Sequence, residues 1–273
     1  MRKTEYTKKY QRMNSKQKMS SPMTRQEIQV IPVAGFPIVK KGDDFNALLL
    51  STMKNNNLTF LEGDILVVSH TIVSIMEGSV YTISEVNPSE KAKQIAMSHE
   101  HSEEHVEVAL QEASEVIREE PILVTKTRQG IITDFSGVDE SNAPMGTLIA
   151  LPKDSDAAAR KISDAISNEA GFNIPVIITD TQGRPWRRGA VNLAIGVSGM
   201  SPFVKNEGRE DIYGKILRSS LVCVADEIAA SAELVMGQAD EKVPIAIVRG
   251  LTPNYTSGSA QEILREESEN LFQ

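Results

Sequence analysis

Five short runs of β-branched and other apolar residues set the main constraint on this chain: IQVIPV (28–33), ILVV (65–68), VIIT (176–179), AVNLAIGVSG (190–199) and VPIAIVRG (243–250). Runs of this length, bounded by Gly, Pro or Asp, predict buried strands, and none approaches the ~20 apolar residues of a membrane span. Helix-patterned segments lie between them. KKGDDFNALLLSTM has Asp43 or Asp44 as cap and Phe45, Leu48, Leu49 and Met53 on one face. VNPSEKAKQIAM predicts a helix start with Asn87 as cap, Pro88 in the first position and Glu90 closing the box. HVEVALQEASEVIRE repeats Val106, Ala109, Leu110, Ala113, Val116 and Ile117 at helical spacing. DAAARKISDAISNEAG predicts a helix capped at Asp154 or Ser155 and stopped at Gly171, and SSLVCVADEIAASAELVMG moves from strand into a small-residue helix. ILVTKTRQGIITDF predicts a hairpin around Gln129 and Gly130. Interleaving of this kind implies an α/β or α+β fold with a mixed sheet. There is no internal repeat, and no linker forces a boundary after residue 27.

Charge divides the chain unevenly. Residues 1–25 carry eight Lys or Arg against Glu5 alone, leaving 21 of the 29 basic and 36 of the 37 acidic residues to the rest, a formal charge of −15. An anionic ligand must then be drawn in by local cations, and general nucleic-acid binding by the body is disfavoured. The first 27 residues read as a basic, disordered tail, with a late start at Met23 or a nucleic-acid arm as the other readings. Cys223 is the only cysteine, which excludes an intrachain disulfide and a thiolate cluster and fits a reducing cytoplasm. The N-terminus lacks the apolar core of a signal peptide.

The common nucleotide fingerprints, GxxxxGK[ST] and GxGxxG, do not occur. His101 and His105, four apart, suit either a shared metal or a solvated helix start beside Glu100, Glu103 and Glu104, the latter preferred for want of a third ligand. His70 differs, following a buried strand beside Thr71, where α/β proteins build sites. Two carboxylates, Asp139 in SGVDESN and Asp180 in TDTQG, read as loop residues just beyond apolar strands. With Thr181 and Asn142 nearby they offer hard oxygen donors suited to Mg²⁺ or Mn²⁺ holding a polyphosphate. Arg184, Arg187 and Arg188 supply forked guanidinium groups for phosphate or carboxylate. The plainer alternative is a pair of turn aspartates beside a surface arginine cluster.

Taken together, VIPVAGFPIVKKGDD, GDILVVSHTIVSIMEG, NPSEKAKQIA, GVDESN, VIITDTQGRPWRRGAVNLAIGVSG, GREDIYGKIL, VCVADEIAASAELVMGQ and VPIAIVRG resemble the coenzyme F420-0:L-glutamate ligase family, the γ-glutamyl ligases of archaea. The likeness runs in order from about Ile28 to Phe272, so residues 28–273 form one catalytic unit. It implies an α+β fold of mixed sheets and packed helices, two interlocked subdomains and an intertwined homodimer. It also implies GTP-dependent, γ-linked addition of L-glutamate to coenzyme F420-0, through an acyl phosphate, with Mg²⁺ or Mn²⁺, two per site, and K⁺. By position, the metal ligands fall on Asp139, Asp180, Thr181 and Gln238. Nucleotide contacts fall on Phe36, Pro37, Ile38 and Val39, on His70, Thr71 and Asn142, and on Met236, Gly237, Gln238, Ala239, Asp240, Glu241, Lys242 and Val243. The resemblance leaves the three arginines without an assigned role.

Three positions depart from the family pattern. Ile75 stands where a lysine is usual, His70 where a small hydroxyl residue is usual, and Gln238 replaces a glutamate that serves the second metal. These changes motivate two alternatives: a weakly catalytic relative that binds nucleotide or coenzyme, and a glutamate ligase for another phosphorylated acceptor. The chain ends before the extra C-terminal domain of relatives that make longer glutamate tails, so the expected products carry one or two glutamates.

Overall fold

The computed structural model describes residues 27–271. The reading of the basic tail falls, apart from Glu27, outside the described residues.

Strand β1 (Gln29–Pro32) leads through a turn to helix α1 (Phe45–Asn55), where the Asp44 side chain caps Ala47 N at 3.1 Å. Strand β2 (Ile65–Ser69) runs directly into helix α2 (His70–Glu77), and β3 (Val80–Thr82) follows. Helices α3 (Glu90–Ala96) and α4 (Glu103–Glu112) precede strands β4 (Ala113–Arg118), β5 (Val124–Thr127), β6 (Ile132–Asp134) and β7 (Thr147–Ile149). Helix α5 (Ser155–Ala170) is capped by Asp154 and stopped by Gly171 in the left-handed region, as the sequence predicts. It delivers the chain to the long hairpin β8 (Val176–Arg184) and β9 (Arg187–Ser198). Strands β10 (Phe203–Lys205) and β11 (Leu221–Cys223), helix α6 (Val224–Met236) and β12 (Ile245–Arg249) complete the series.

The central sheet has the order β1-β12-β2-β8-β9, parallel only between β2 and β8. Both faces are covered, which explains why the strands read as unbroken apolar runs. Leu66, Val68 and Ile178 pack on one side with Leu49, Val73, Ile162 and Ile166 from α1, α2 and α5. Ile65, Val67 and Ile177 point the other way, onto Ala225, Ile228, Ala229 and Ala232 of α6. Each fully buried Val, Leu or Ile contributes about 1.5–3 kcal/mol, so this double-sided core fixes the sheet. Gly196 lets α5 close on it, since a Cβ there would stand 2.3 Å from the Ser155 carbonyl oxygen. A third apolar cluster, including Ile95, Val106, Leu123, Val138 and Leu148, unites α3, α4 and the β4-β5-β6 sheet in a smaller lobe. The architecture is mixed α+β with several sheets and packed helices.

Local expectations change at three places. Helix α3 is capped by Ser89, whose Oγ accepts from Ala92 N at 3.2 Å, so Asn87 and Pro88 lie ahead of the helix. The helical spacing through Ala113, Val116 and Ile117 belongs to strand β4, because pairing with β5 takes over after Glu112. Asp180 is a strand residue, paired in register with Leu193, since β9 carries β8 on to Arg184.

Candidate active-site cleft

The parallel pairing of β2 with β8 ends at Ser69 and Thr179, and α2 leaves the sheet at that point. Pro244, whose carbonyl accepts from Ser69 N at 2.9 Å, and Val33, whose amide reaches Ile245 O at 2.9 Å, bring the start of β12 and the end of β1 to the same edge. A cleft of about 530 Å³ opens there, walled opposite by residues of the smaller lobe from Thr133 to Asn142. Open sheets with parallel strands place ligands at strand ends of this kind.

Asp180 is buried, 8% exposed, on the sheet wall. Its Oδ1 accepts from Thr181 N at 2.8 Å and lies 3.2 Å from His70 Nε2, while Oδ2 accepts from Gln182 Nε2 at 3.3 Å. Successive strand side chains alternate, so Thr181 turns the other way and donates Oγ1–H to Asn192 Oδ1 at 2.5 Å. Gln238 Nε2 donates back to Thr181 Oγ1 at 2.7 Å and to Glu233 Oε2 at 2.6 Å. Burial raises the pKa of Glu233, an effect the Gln238 hydrogen bond partly offsets.

Asp139 stands on the opposite wall and is exposed. Its backbone pairs with Ile149 in both directions, at 2.9 and 2.8 Å, and its carboxylate accepts from Ser141 N at 2.8 Å and from the Ser141 hydroxyl. Asn142 follows at φ 55°, a left-handed conformation that asparagine tolerates. Its Nδ2 donates to Gln238 O at 3.5 Å and so touches the loop after α6. That loop leaves α6 through Gly237 at φ 72°, where a Cβ would meet the Glu241 side chain at 2.3 Å, and Glu241 in turn accepts from Ala239 N at 2.8 Å.

The cleft gathers almost every residue that the sequence singles out. Asp139, Asp180 and Thr181 line it, as do Phe36 to Val39, His70, Thr71, Asn142 and the whole of Met236 to Val243. Arg184, Arg187 and Arg188 do not line it. Arg184 donates to the carbonyls of Arg188 and Gly189 at 3.1 and 3.2 Å and clamps the β8–β9 turn, while Arg187 and Arg188 are exposed on that hairpin. Ile75 lines the cleft with apolar surface where a lysine would present a cation.

The histidine pair also departs from expectation. Among the described residues no three of His, Cys, Asp or Glu form a group able to hold a metal. His105 is buried in the smaller lobe, its Nε2 3.0 Å from Val138 O, and the tilted His101 ring packs against both it and Phe135 at centroid distances of 4.3 and 4.2 Å. Burial and the neighbouring His101 lower the His105 pKa from its ordinary 6.5. Asn192 and Ser141 went unnoticed in the sequence. Asn192 is legible only from the cross-strand register with Thr181, and Ser141 only from the local turn around Asp139.

The donor set fits a hard divalent cation. The cleft lining offers two carboxylates with hydroxyl and amide oxygens, hard donors too few to enclose an ion and suited to one that keeps positions for water and phosphate oxygens. Asp180 Oδ2, engaged only at 3.3 Å, has the capacity to accept such an ion.

A sequence model of the family described as F420-0:Gamma-glutamyl ligase matches residues 35–250. The chain is 42% identical over 248 residues to the coenzyme F420:L-glutamate ligase of Methanothermobacter thermautotrophicus, covering 90% of this chain and 98% of that one. The Archaeoglobus fulgidus protein of the same name is 41% identical over 245 residues, covering 90% and 96% of the two chains. That of Methanopyrus kandleri is 39% identical over 250 residues, covering 90% and 97%. This chain belongs to the F420-0:gamma-glutamyl ligase family.

Proposed function

We propose that the protein is a coenzyme F420:L-glutamate ligase that adds L-glutamate by γ-linkage to coenzyme F420-0, driven by GTP and forming products with one or two glutamates. The observation that carries the reading is the convergence of Asp139, Asp180 and Thr181 on one cleft with the turn 36–39 and the loop 236–243, in a chain with near full-length relatives of that name.

In this reading the γ-phosphoryl group of GTP passes to a carboxylate of F420-0, giving an acyl phosphate and GDP. The glutamate amine then attacks the acyl carbon, the C–O bond to phosphate breaks, and an amide and inorganic phosphate leave. Asp139, Asp180 and Thr181 would hold the Mg²⁺ or Mn²⁺. When bound, these ions neutralise phosphate charge and polarise the reacting oxygens. Asn192 and Gln238 hold the Thr181 hydroxyl in place, and the Phe36–Val39 turn and the 236–243 loop position the nucleotide between the two walls. Positioning of this kind is a large share of phosphoryl-transfer catalysis. Gln238 offers an amide oxygen but no charge, so a second ion is held more weakly than by a glutamate.

The reading extends to a homodimer, K⁺ assistance and a cytoplasmic setting. No helix of the described residues is long and apolar enough to cross a membrane.

The test is direct. Purified protein with GTP, Mn²⁺, L-glutamate and F420-0 is expected to yield a product heavier by one or two glutamates, and Asp180→Asn is expected to yield none. Nucleotide binding without any product favours the weakly catalytic alternative raised by Ile75 and Gln238.

A further inference from the structure

The first residue of α2 is buried against the carboxylate of the sheet wall. His70 is 6% exposed, and its Nε2 lies 3.2 Å from Asp180 Oδ1. The same Oδ1 accepts the Thr181 amide at 2.8 Å. That hydrogen bond takes one lone-pair site of Oδ1, and the imidazole edge at 3.2 Å covers the approach to the other. Among the described residues Oδ2 meets only the Gln182 amide, at 3.3 Å, and keeps a lone pair open.

The other side of the ring argues that this contact is not incidental packing. His70 Nδ1 is buried with no hydrogen-bond partner among the described residues. An unpaired buried nitrogen is costly, and an apolar side chain would fill the same space without it. The close approach to Asp180 is therefore the polar contact that the imidazole supplies and an apolar residue does not.

We infer that His70 makes Asp180 a one-oxygen ligand, through Oδ2, and thereby selects which divalent cation the cleft holds. The inference rests on the reading that Asp180 binds the divalent ion. Mg²⁺ and ions of similar size take single carboxylate oxygens in near-octahedral geometry, whereas Ca²⁺ takes more oxygens and readily spans both atoms of one carboxylate. With Oδ1 bonded to the Thr181 amide and covered by the His70 ring, that spanning mode is closed. Mn²⁺ and Mg²⁺ lose nothing, and Ca²⁺ loses a donor. The two contacts on Oδ1 also orient the ligating oxygen, as partners of metal-bound carboxylates do elsewhere. His70 is thus a positioning residue that acts through Asp180.

Metal binding itself gives the test. Mn²⁺ is titrated into the full chain, with and without GDP, and followed by loss of the free-ion paramagnetic resonance signal, with Ca²⁺ as competitor. The wild type is expected to hold Mn²⁺ against Ca²⁺, and Asp180→Asn to lose Mn²⁺. His70→Ala is expected to weaken Mn²⁺ by about 10–100-fold. Ca²⁺ gains the second Asp180 oxygen in that variant, so the Mn²⁺ to Ca²⁺ affinity ratio falls by at least about tenfold. His70→Gln, whose amide nitrogen replaces Nε2, is expected to restore the ratio. If His70→Ala does not fold, judged by thermal unfolding, His70→Asn removes the Nε2 donor in its place. An unchanged ratio in the donor-lacking variants, with Asp180→Asn still losing Mn²⁺, overturns the inference and leaves the ligase reading standing. Full Mn²⁺ binding by Asp180→Asn overturns both.

Discussion

The two carboxylates that face each other across the cleft are held in opposite ways. Asp180 is buried inside a central strand, and its donors come from three residues, His70 on α2 and Thr181 and Gln182 on β8. Asp139 is exposed, and both donors to its carboxylate come from Ser141, two residues away. One carboxylate is fixed by the sheet and a helix; the other is fixed by its own turn on a backbone tied to Ile149. The difference separates a carboxylate set by contacts distant in sequence from one set by its immediate neighbours.

The contrast is sharpest when each aspartate becomes asparagine. At position 180 two donors converge on Oδ1, so the amide oxygen is forced there and the NH₂ group faces the ion at Oδ2. Asp180→Asn is expected to lower the ligation rate by at least roughly 10³-fold, about what loss of metal-borne charge stabilisation costs, so that no product is detected in the time of the wild-type reaction. At position 139 the Ser141 hydroxyl can rotate and accept, so the amide oxygen remains available to a ligand. Asp139→Asn is expected to cost only about 10–100-fold. Equal losses measured in parallel assays would remove the distinction between the walls. A smaller effect belongs to Ser141→Ala, which deletes one hydrogen bond to Asp139 and is expected to slow ligation by about 2–10-fold.

The smallest effect is on stability and lies behind the Asp139 wall. His105 has a folded pKa below 6.5, so the unfolded chain binds its proton more readily. Its contribution to stability is complete above pH 6.5 and is lost as pH falls through the folded pKa, by at most about 1.4 kcal/mol per pH unit. His105→Gln, with an amide to reach Val138 O, is expected to flatten the fall in melting temperature between about pH 7 and about pH 5. A slope equal to the wild type would show that another group carries the pH dependence.

The same division governs what the sequence makes legible. The sheet wall is written in apolar runs and local caps: β2 and β12, Asp44, Asp154 and Gly171 all appear where periodicity and cap chemistry put them. His70, Asp180 and Thr181 stand out because polar residues follow those runs. The smaller lobe is less legible because tertiary pairing decides it. β4 carries a helical pattern and becomes a strand only through β5, and His105 reads as solvated until α4 packs it onto Phe135 and Val138. Asn192 enters the site through hairpin register, a property of two strands together. The arginines of the β8–β9 turn do not line the cleft of this chain: their nearness in sequence to Asp180 becomes distance along an extended strand, and Arg184 donates to the turn's own carbonyls.

In the proposed reaction, nucleotide cleavage in this cleft drives glutamate addition. GDP released and glutamate gained are counted in the same reaction, by nucleotide chromatography and product mass. One GDP is expected for each glutamate joined to F420-0, with neither detected for Asp180→Asn. GDP released without gain in product mass, or glutamate added without nucleotide cleavage, would contradict it.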